Sequence, residues 1–298
     1  MALLDTSKIT LPRELAAGVW KSAQGQSVVA ALSDSKPQKF GESDIMTFET
    51  RPKAEFVAEG AQKGSSEAGF GVRTVKPHKA QVTMRFTEEV LWADEDYQLE
   101  VLSTLSEGAS EALGRGLDLG SIHGMNPLTG TRAATITDYL LQTTNVVDAG
   151  SAGPDIEIET AAGLVIADHF RPNGVALDDS YAWTIATERY DDGRKKFPDL
   201  GLGIDVTQFE GIRASVSDTV SAAQEAAAPT GVLGIVGDWS TFRWGVQRNI
   251  WVELIKYGDP DGQGDLKRQN QIALRAEVVF GWAFLDTNAF SAIKRTNG

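Results

Sequence analysis

Three aspartates lie close together near the C-terminal end of the chain, at Asp259, Asp261 and Asp265. They supply side-chain oxygens at positions one, three and seven of a calcium-binding EF-hand loop, with glutamine at position five and glycine at position six. Position twelve is Asn270, where that loop needs a bidentate glutamate, and both flanking segments have strand patterns. The spacing therefore leaves two interpretations open, a weak calcium site and a solvated turn between long strands.

The other residues with catalytic or metal-binding potential do not form a recognisable site. His78, His123 and His169 are too far apart for the HExxH or HxH spacing of metal sites. The chain has no cysteine, which excludes thiolate nucleophiles, disulfides and zinc–thiolate centres. It also lacks a G-x-S-x-G elbow and a phosphate-binding glycine loop. We expect no cofactor, and nothing in the sequence positively supports an enzyme.

Composition narrows the class of protein further. The formal net charge of the 298 residues is −13, which argues against broad wrapping of nucleic acid, because phosphate contacts need Lys and Arg. A container that encloses nucleic acid without binding it tightly remains compatible with that charge. Hydrophobic residues make up 42% of the chain, and no apolar run reaches the length of a membrane span or a secretory signal. We expect no membrane association.

Two long alternating runs near the C-terminus predict the framework of the fold. In the segments 242–254 and 272–284, large apolar residues recur at every second position, interrupted in the first run by Arg248. Alternation places such side chains on one face of a strand, and both runs exceed the usual strand length of about 5–6 residues. The sequence therefore predicts a long β platform whose apolar face is covered by an earlier part of the chain.

The N-terminal third is predicted to contain an arm, a hairpin and a helix. Residues 1–39 look like an arm with little capacity for a core of its own, and Pro12 is suited to the first turn of a short helix. Residues 40–86 resemble a long hairpin with a glycine- and serine-rich tip at 59–71. Residues 87–119 predict the longest helix, capped by Thr87, with a kink or restart at the acidic cluster 94–96 and an end set by glycines 114, 116 and 120.

The middle of the chain alternates between strand-like and helical segments. A glycine-rich loop region covers 120–150, and a second helix is predicted over 155–169. Strand-like and helical pieces follow at 175–177, 181–189 and 212–216. The fold class predicted from these elements is α+β.

The order of these parts resembles the major capsid proteins of tailed double-stranded DNA bacteriophages, which have the Hong Kong 97 fold. The stretches that carry the resemblance are the start of the extended loop at 56–60, the entry to the spine helix at 86–91, the end of that helix at 118–124, and the closing strands at 237–239 and 270–290. The resemblance covers about residues 11–294 in the same order.

The resemblance implies a division into four structural regions. They are the N-terminal arm at 1–39, the extended β-hairpin loop at 40–80, the peripheral domain at 81–150 and 240–285, and the axial domain at 151–239 and 286–298. It also implies a shell of pentamers and hexamers around a DNA genome, within a virion made in the cytoplasm of a bacterial host. Because the chain starts almost at the arm, we expect a separate scaffolding protein, together with a portal and decoration proteins.

The resemblance further implies residues for subunit contact and for a covalent bond between subunits. Some members of this family join subunits through a self-formed isopeptide bond between Lys and Asn, assisted by Glu. Alignment of the loop and the final strand places Lys63, Asn270 and Glu277 at these three positions. The arm and loop residues expected to touch neighbouring subunits are Trp20, Phe56, Lys63 and Phe70.

Two other functions remain open at this point. A cellular nanocompartment shell of the encapsulin type would have the same fold and a protein cargo. A calcium-binding β protein or an enzyme that uses Asp259, Asp261 and Asp265 belongs to a different class. Neighbouring genes would separate the first alternative from a virus, and a calcium-dependent monomer would favour the second.

Overall fold

The computed structural model describes residues 27–50, 53–66, 69–92, 95–150, 152–198 and 206–295. Most of the predicted arm, including Pro12 and Trp20, lies outside these residues. The helices, in chain order, are α1 (Val28–Leu32), α2 (Glu95–Asp118), α3 (Pro154–Ala167) and α4 (Asp179–Thr187). The strands are β1 (Ser43–Thr50), β2 (Gly69–Thr87), β3 (Met125–Asn126), β4 (Thr131–Arg132), β5 (Val146–Asp148), β6 (Gly174–Leu177), β7 (Gln208–Phe209), β8 (Ile212–Val216), β9 (Val232–Gly237), β10 (Phe242–Ile255), β11 (Gln271–Phe284) and β12 (Phe290–Lys294).

The predicted platform is an antiparallel sheet with the strand order β1-β2-β11-β10. One of its two inner strands is β11, where the alternating apolar residues from Ile272 to Phe284 are all buried. From Ala276 to Phe284 they pack, with Phe242 and Trp244 of β10, into the same core as Leu113 and Leu117 of α2. The long helix is therefore the earlier part of the chain that covers the apolar face, and the alternation prediction is confirmed.

Strand β10 keeps its alternation despite two β-bulges. Val246 pairs with Phe280, Arg248 with Val279, and Trp251 with Glu277, so β10 gains one residue at each of two irregularities. A single bulge would turn every later side chain to the opposite face, because the side-chain period of a strand is two. Two bulges restore the original parity, which is why Arg248 interrupts the run without ending it.

The predicted hairpin consists of β1 and the first part of β2. Its ladder runs from Ser43 opposite Val75 to Thr50 opposite Gly69. Strand β2 has 19 residues and continues past the hairpin, pairing with β11 from Lys76 opposite Trp282 to Thr87 opposite Gln271. The hairpin is thus a direct extension of the platform, and its far end has no further strand of the described chain beside it.

The long helix differs from its prediction at both ends. Thr87 is the last residue of β2, so the prediction that Thr87 caps the helix is wrong, and a 3₁₀ turn at Glu88–Trp92 precedes α2. Glycines 114 and 116 lie inside the helix, which continues through a π-type turn at Leu119–His123. The end comes at Gly124, whose φ of 66° is left-handed, a conformation that glycine adopts without a steric penalty.

A second sheet forms the other half of the fold, with the strand order β5-β12-β9-β6-β8-β7. Helices α3 and α4 pack on it through Ile158, Ala161, Tyr181 and Ile185, which belong to a separate core cluster. The predicted helix at 155–169 and the alternating pieces at 175–177, 181–189 and 212–216 are confirmed within one to three residues. Among the described residues, no helix has the length and apolar character needed to cross a lipid bilayer.

The two halves are joined by buried polar contacts at the C-terminal end of α2. Asp118 is fully buried and accepts hydrogen bonds from Ser27 Oγ at 2.5 Å, from the backbone N–H groups of Val28 and Val29 at 3.0 and 3.2 Å, and from Thr219 Oγ1 at 2.9 Å. One turn earlier, Arg115 makes a bidentate ion pair with Asp218, with N–O distances of 2.7 and 2.9 Å. These contacts hold α1, α2 and the 218–220 turn in one arrangement.

His123 supplies a test of this junction that depends on pH. Its Nε2–H donates to the carbonyl oxygens of Thr219 and Val220 at 3.2 and 3.1 Å, and burial lowers its pKa to about 4. Since the unfolded chain binds a proton near pH 6.5, stability is full above that pH and is lost as the pH falls towards 4. We expect this group to contribute about 3 kcal/mol across that window.

Urea unfolding of the unassembled protein at several pH values measures this contribution. The His123→Gln variant keeps an N–H donor but does not titrate, so its stability should fall less than that of the unmodified chain between pH 6.5 and pH 4. If the stability of the two proteins falls equally between pH 6.5 and pH 4, His123 is not the source of this pH dependence.

Candidate subunit-contact surface and cross-link residues

One face of the hairpin is apolar and open to solvent. Met46 of β1 lies opposite Val72 of β2, and Phe70 lies on the same face. The exposed fractions of these residues are 70% for Met46, 59% for Val72 and 58% for Phe70. Contiguous exposed apolar surface of this kind is typical of protein–protein contact. Phe70, which is predicted to touch another subunit, is therefore accessible for such a contact.

The tip of the hairpin presents a second exposed aromatic residue. Phe56 is fully exposed, and the chain turns back at Gly60, whose φ is 76°. The tip is held by its own polar contacts, since Glu55 Oε2 accepts from the Gly64 N–H at 2.9 Å and Ser66 Oγ accepts from the Lys53 N–H at 2.7 Å. Lys63 lies on the return side of this tip, exposed to solvent.

Asn270 lies at the opposite end of the platform, in the turn that leads into β11. Its φ of 54° is left-handed, an arrangement that asparagine tolerates better than most residues. The backbone carbonyl of Asn270 accepts from the Glu88 N–H at 2.9 Å, and its side-chain Nδ2 donates to Glu89 Oε1 at 3.4 Å. The side-chain amide is exposed and lies beside the carboxylate of Glu89.

Glu277 lies in the middle of β11, on the platform face opposite α2. Its Oε1 forms an ion pair with Lys79 Nζ at 2.9 Å, and 21% of its side chain is exposed. It lines a cleft of about 290 Å³ on this face, together with Phe40, Pro77, Lys79, Arg248, Trp251, Val278 and Val279.

These three residues do not meet within one chain. The β11–β2 ladder has no register shift between Gln271 and Trp282, so β11 is a regular strand between Asn270 and Glu277. Seven residues of such a strand span about 23 Å. A site that contains Lys63, Asn270 and Glu277 therefore requires contributions from different copies of the chain.

The aspartate loop at 256–270 is organised around an arginine. Arg85 of β2 donates from Nε to both carboxylate oxygens of Asp261 at 2.9 and 2.8 Å, and from Nη2 to Asp259 Oδ1 at 3.0 Å. Its Nη2 also donates to the Gly264 carbonyl at 2.9 Å, and the guanidinium lowers the pKa of Asp261. Asp265 is turned away and accepts from the Arg268 N–H at 3.0 Å.

Arg85 thus occupies the position in which the sequence pattern suggested calcium. Within the described ranges, no group of three or more His, Asp or Glu side chains is arranged to hold a metal ion. The sequence analysis did not anticipate Arg85, which is 174 residues from Asp259 along the chain.

The sequence places Asp118 at the end of the spine helix, but no local pattern predicts the buried polar contacts of Asp118 and Arg115. A carboxylate in the last turn of a helix is disfavoured by the helix dipole, so an aspartate at that position signals a specific set of donors. The position of Asp118 in the helix therefore suggests that it has hydrogen-bond donors. The sequence does not show which residues they are, because they lie 89 to 101 residues away along the chain.

One known protein family matches nearly the whole chain. The model of the Phage capsid family matches residues 8–295. The chain belongs to the phage capsid family. A search of curated proteins finds no match.

Solved structures from phages resemble the chain over most of its length. A chain from Mycobacterium phage Ogopogo is 47% identical, with coverage of 91% of this chain and 92% of that chain and a TM-score of 0.82. A chain from Gordonia phage Cozz is 32% identical, with coverage of 92% and 87% and a TM-score of 0.79. The capsid of an empty GTA particle is 14% identical, with a TM-score of 0.62, and shares the fold.

These findings confirm the predicted Hong Kong 97 fold and identify the protein as a phage major capsid protein. It is a structural component of an icosahedral virion shell, as the resemblance predicted. The family and its phage relatives favour this function over a calcium-binding protein, an enzyme or a cellular nanocompartment.

The Arg85 cluster yields a prediction about local stability. Replacing Arg85 with Met removes the shared partner of Asp259 and Asp261, so these carboxylates repel one another and the 256–270 loop opens more often. We expect amide hydrogen exchange in this loop to become several-fold faster while exchange in β11 changes little.

The matched control is Arg268→Met, since Arg268 is exposed and its contact with Asp265 uses the backbone N–H. That variant should exchange like the unmodified protein. Equal rates for Arg85→Met and Arg268→Met would show that the guanidinium does not hold the loop.

Proposed function

We propose that the capsid protein builds its shell from pentamers and hexamers in which each hairpin lies over a neighbouring copy. The observation that carries this proposal is the exposed apolar face of the hairpin, formed by Met46, Phe70 and Val72. A two-stranded ribbon is only marginally stable in water, and a shell supplies the missing surface through head-to-tail contacts that close on themselves.

The division of the chain into regions follows the same proposal. The extended loop at 40–80 corresponds to the hairpin, although β2 continues through residue 80 into the platform. The peripheral domain at 81–150 and 240–285 contains α2 and the platform strands β10 and β11. The axial domain at 151–239 and 286–298 contains most of the second sheet with α3 and α4, and we assign it to the five-fold and six-fold centres.

The partners follow from the geometry of a closed shell. Equivalent contacts between copies of one chain do not by themselves set the diameter of the shell, so we assign that role to a separate scaffolding protein. A portal provides the entry for DNA, and decoration proteins bind the outer surface. Assembly takes place in the cytoplasm of the bacterial host, and the acidic chain encloses the genome without gripping it.

A covalent link between subunits completes the proposal. Lys63 Nζ of one copy loses a proton and attacks Cγ of Asn270 in a second copy. The amide nitrogen leaves as ammonia, and an isopeptide bond forms. The proton lost before the attack goes to solvent. After the attack, Glu277 of a third copy accepts a second proton from the lysine nitrogen and passes it to the amide nitrogen, which then leaves. Lys63 and Asn270 are both exposed, so each is accessible to another copy. Asn270 and Glu277 are too far apart to serve one site from the same chain, which supports a site shared between copies.

Negative-stain microscopy of the purified protein, with its scaffold where needed, tests the shell directly, and we expect closed particles.

Trypsin digestion tests the position of the hairpin, because its tip is exposed in free capsomers and covered in the shell. Cleavage after Lys63 should be rapid before assembly and strongly suppressed afterwards. Equal cleavage in both states would contradict the placement of the hairpin over a neighbour.

Boiling mature shells in SDS tests the covalent link. We expect a ladder of linked subunits that collapses to monomer in the Lys63→Ala and Asn270→Ala variants. Lys53→Ala is the matched control, since Lys53 lies on the same tip and is equally exposed; it should keep the ladder. Monomer alone from unmodified mature shells would exclude the bond.

A further inference from the structure

The cleft beside Glu277 lies next to the two bulges of β10. Arg248 and Trp251 line it, and each follows one of the two bulges of β10. A bulge bends its strand and redirects the side chains next to it. Trp251 lies opposite Glu277 and is 53% exposed, whereas the paired strand β11 is mostly buried.

The opposite wall of the cleft is fixed by the segment that crosses the platform before β1. Gln247 clamps Gly41 through two hydrogen bonds, donating from Nε2 to the Gly41 carbonyl at 3.0 Å and accepting the Gly41 N–H at Oε1 at 3.0 Å. This clamp holds the adjacent Phe40 at the edge of the cleft, although its side chain is 71% exposed. The cleft therefore has two aromatic walls that are in place before any partner binds.

The charges at the cleft have both signs. Arg248 is exposed at one side, and Glu277 is paired with the half-exposed Lys79 at the other. The hairpin tip carries the complementary pair, Glu59 and Lys63, next to the fully exposed Phe56. The tip therefore offers an exposed aromatic side chain followed by charges of both signs, and the cleft offers exposed aromatic side chains with charges of both signs.

The tip and the cleft of the same chain cannot meet. The cleft lies at the root of the hairpin, where Phe40 precedes β1 and Pro77 follows the last β1–β2 pair, Ser43 with Val75. From that pair the ladder continues for seven residues of β1, about 23 Å, before the tip begins. The occupant must come from a second copy.

We propose that this cleft receives the hairpin tip of a second copy, with Phe56 seated between Phe40 and Trp251 and Glu59 facing Arg248. This inference rests on the proposed arrangement of hairpins over neighbouring copies, and it identifies the residues on both sides of that contact. It places Lys63 close to Glu277, where it competes with Lys79 for the carboxylate.

Disulfide trapping tests the contact directly, because the chain has no cysteine of its own. Phe56→Cys chains and Phe40→Cys chains are co-assembled into mixed shells and oxidised. A disulfide requires Cα atoms within about 7 Å of one another, so dimers on a non-reducing gel report the contact between copies. Sensitivity to dithiothreitol separates these dimers from an isopeptide ladder.

The matched control mixes Phe56→Cys chains with Leu128→Cys chains, since Leu128 is 92% exposed and lies away from the cleft in the β3–β4 turn. We expect several-fold more dimer from the Phe40 pair. Normal shells with no more dimer than the control overturn the docking and leave the capsid function intact. If the Phe40→Cys side chain in finished shells reacts with maleimide as fast as in the unassembled chain, the tip does not cover the cleft and the docking proposal is overturned. The cleft is then open for a decoration protein to bind. Failure of the unmodified chain to form shells overturns the proposed function and the docking with it.

A charge exchange provides a second measurement. Arg248→Glu and Glu59→Arg should each lower the yield of shells by roughly tenfold, because like charges then face one another across the contact. The double variant should recover most of the yield, while circular dichroism confirms that each unassembled chain is folded. A double variant that assembles no better than either single variant contradicts the pairing.

Discussion

The buried carboxylate of Asp118 is the contact on which the relative placement of the two sheets depends. Burial raises its pKa, while hydrogen bonds from Ser27, Val28, Val29 and Thr219 act in the opposite direction. A buried charge without donors is costly, and each buried donor left unsatisfied would cost about 1–3 kcal/mol. The carboxylate and its donors are therefore stable only together, which makes the arrangement of α1, α2 and the 218–220 turn specific.

A pair of glycines extends this constraint to the platform. Gly245 of β10 lies opposite Gly281 of β11, and together they leave a slot that is filled by the segment between α1 and β1. A Cβ at Gly245 would collide with the carbonyl oxygen of Lys36, and one at Gly281 would collide with the side chains of Gln38 and Gln247. The slot fixes the path of the chain from the buried junction to the root of the hairpin, and thus the direction in which the hairpin leaves the platform.

The function follows from what this rigid framework leaves uncovered. Core clusters satisfy the apolar faces of α2, α3, β9 and β11 within one chain, whereas the apolar face of the hairpin, the tip residue Phe56 and the aromatic walls of the cleft stay in solvent. In the proposed arrangement of subunits, other copies of the chain complete these surfaces. A subunit with a stable core and incomplete edges can fold before it assembles, and it then joins its neighbours through surfaces that are already in place.

The sequence by itself determined the elements with a local signature. The strict alternation of β11 and the glycine-rich hairpin tip predicted individual elements, because strand and helix periods are visible along the chain. The order of arm, hairpin, helix and strands carried the resemblance to the phage capsid proteins, and the fold was predicted from that resemblance. The predicted kink or restart at 94–96 agrees with the start of α2 at Glu95. Only the tertiary structure decided the two bulges of β10 and the pairing of Arg85 with Asp259 and Asp261. The polar contacts that fix the tertiary structure join distant residues: Asp118 and Val29 are 89 positions apart, Arg85 and Asp259 are 174 apart, and Gln247 and Gly41 are 206 apart. Such contacts have no periodicity in the sequence, since a hydrogen bond depends on where two segments meet in space.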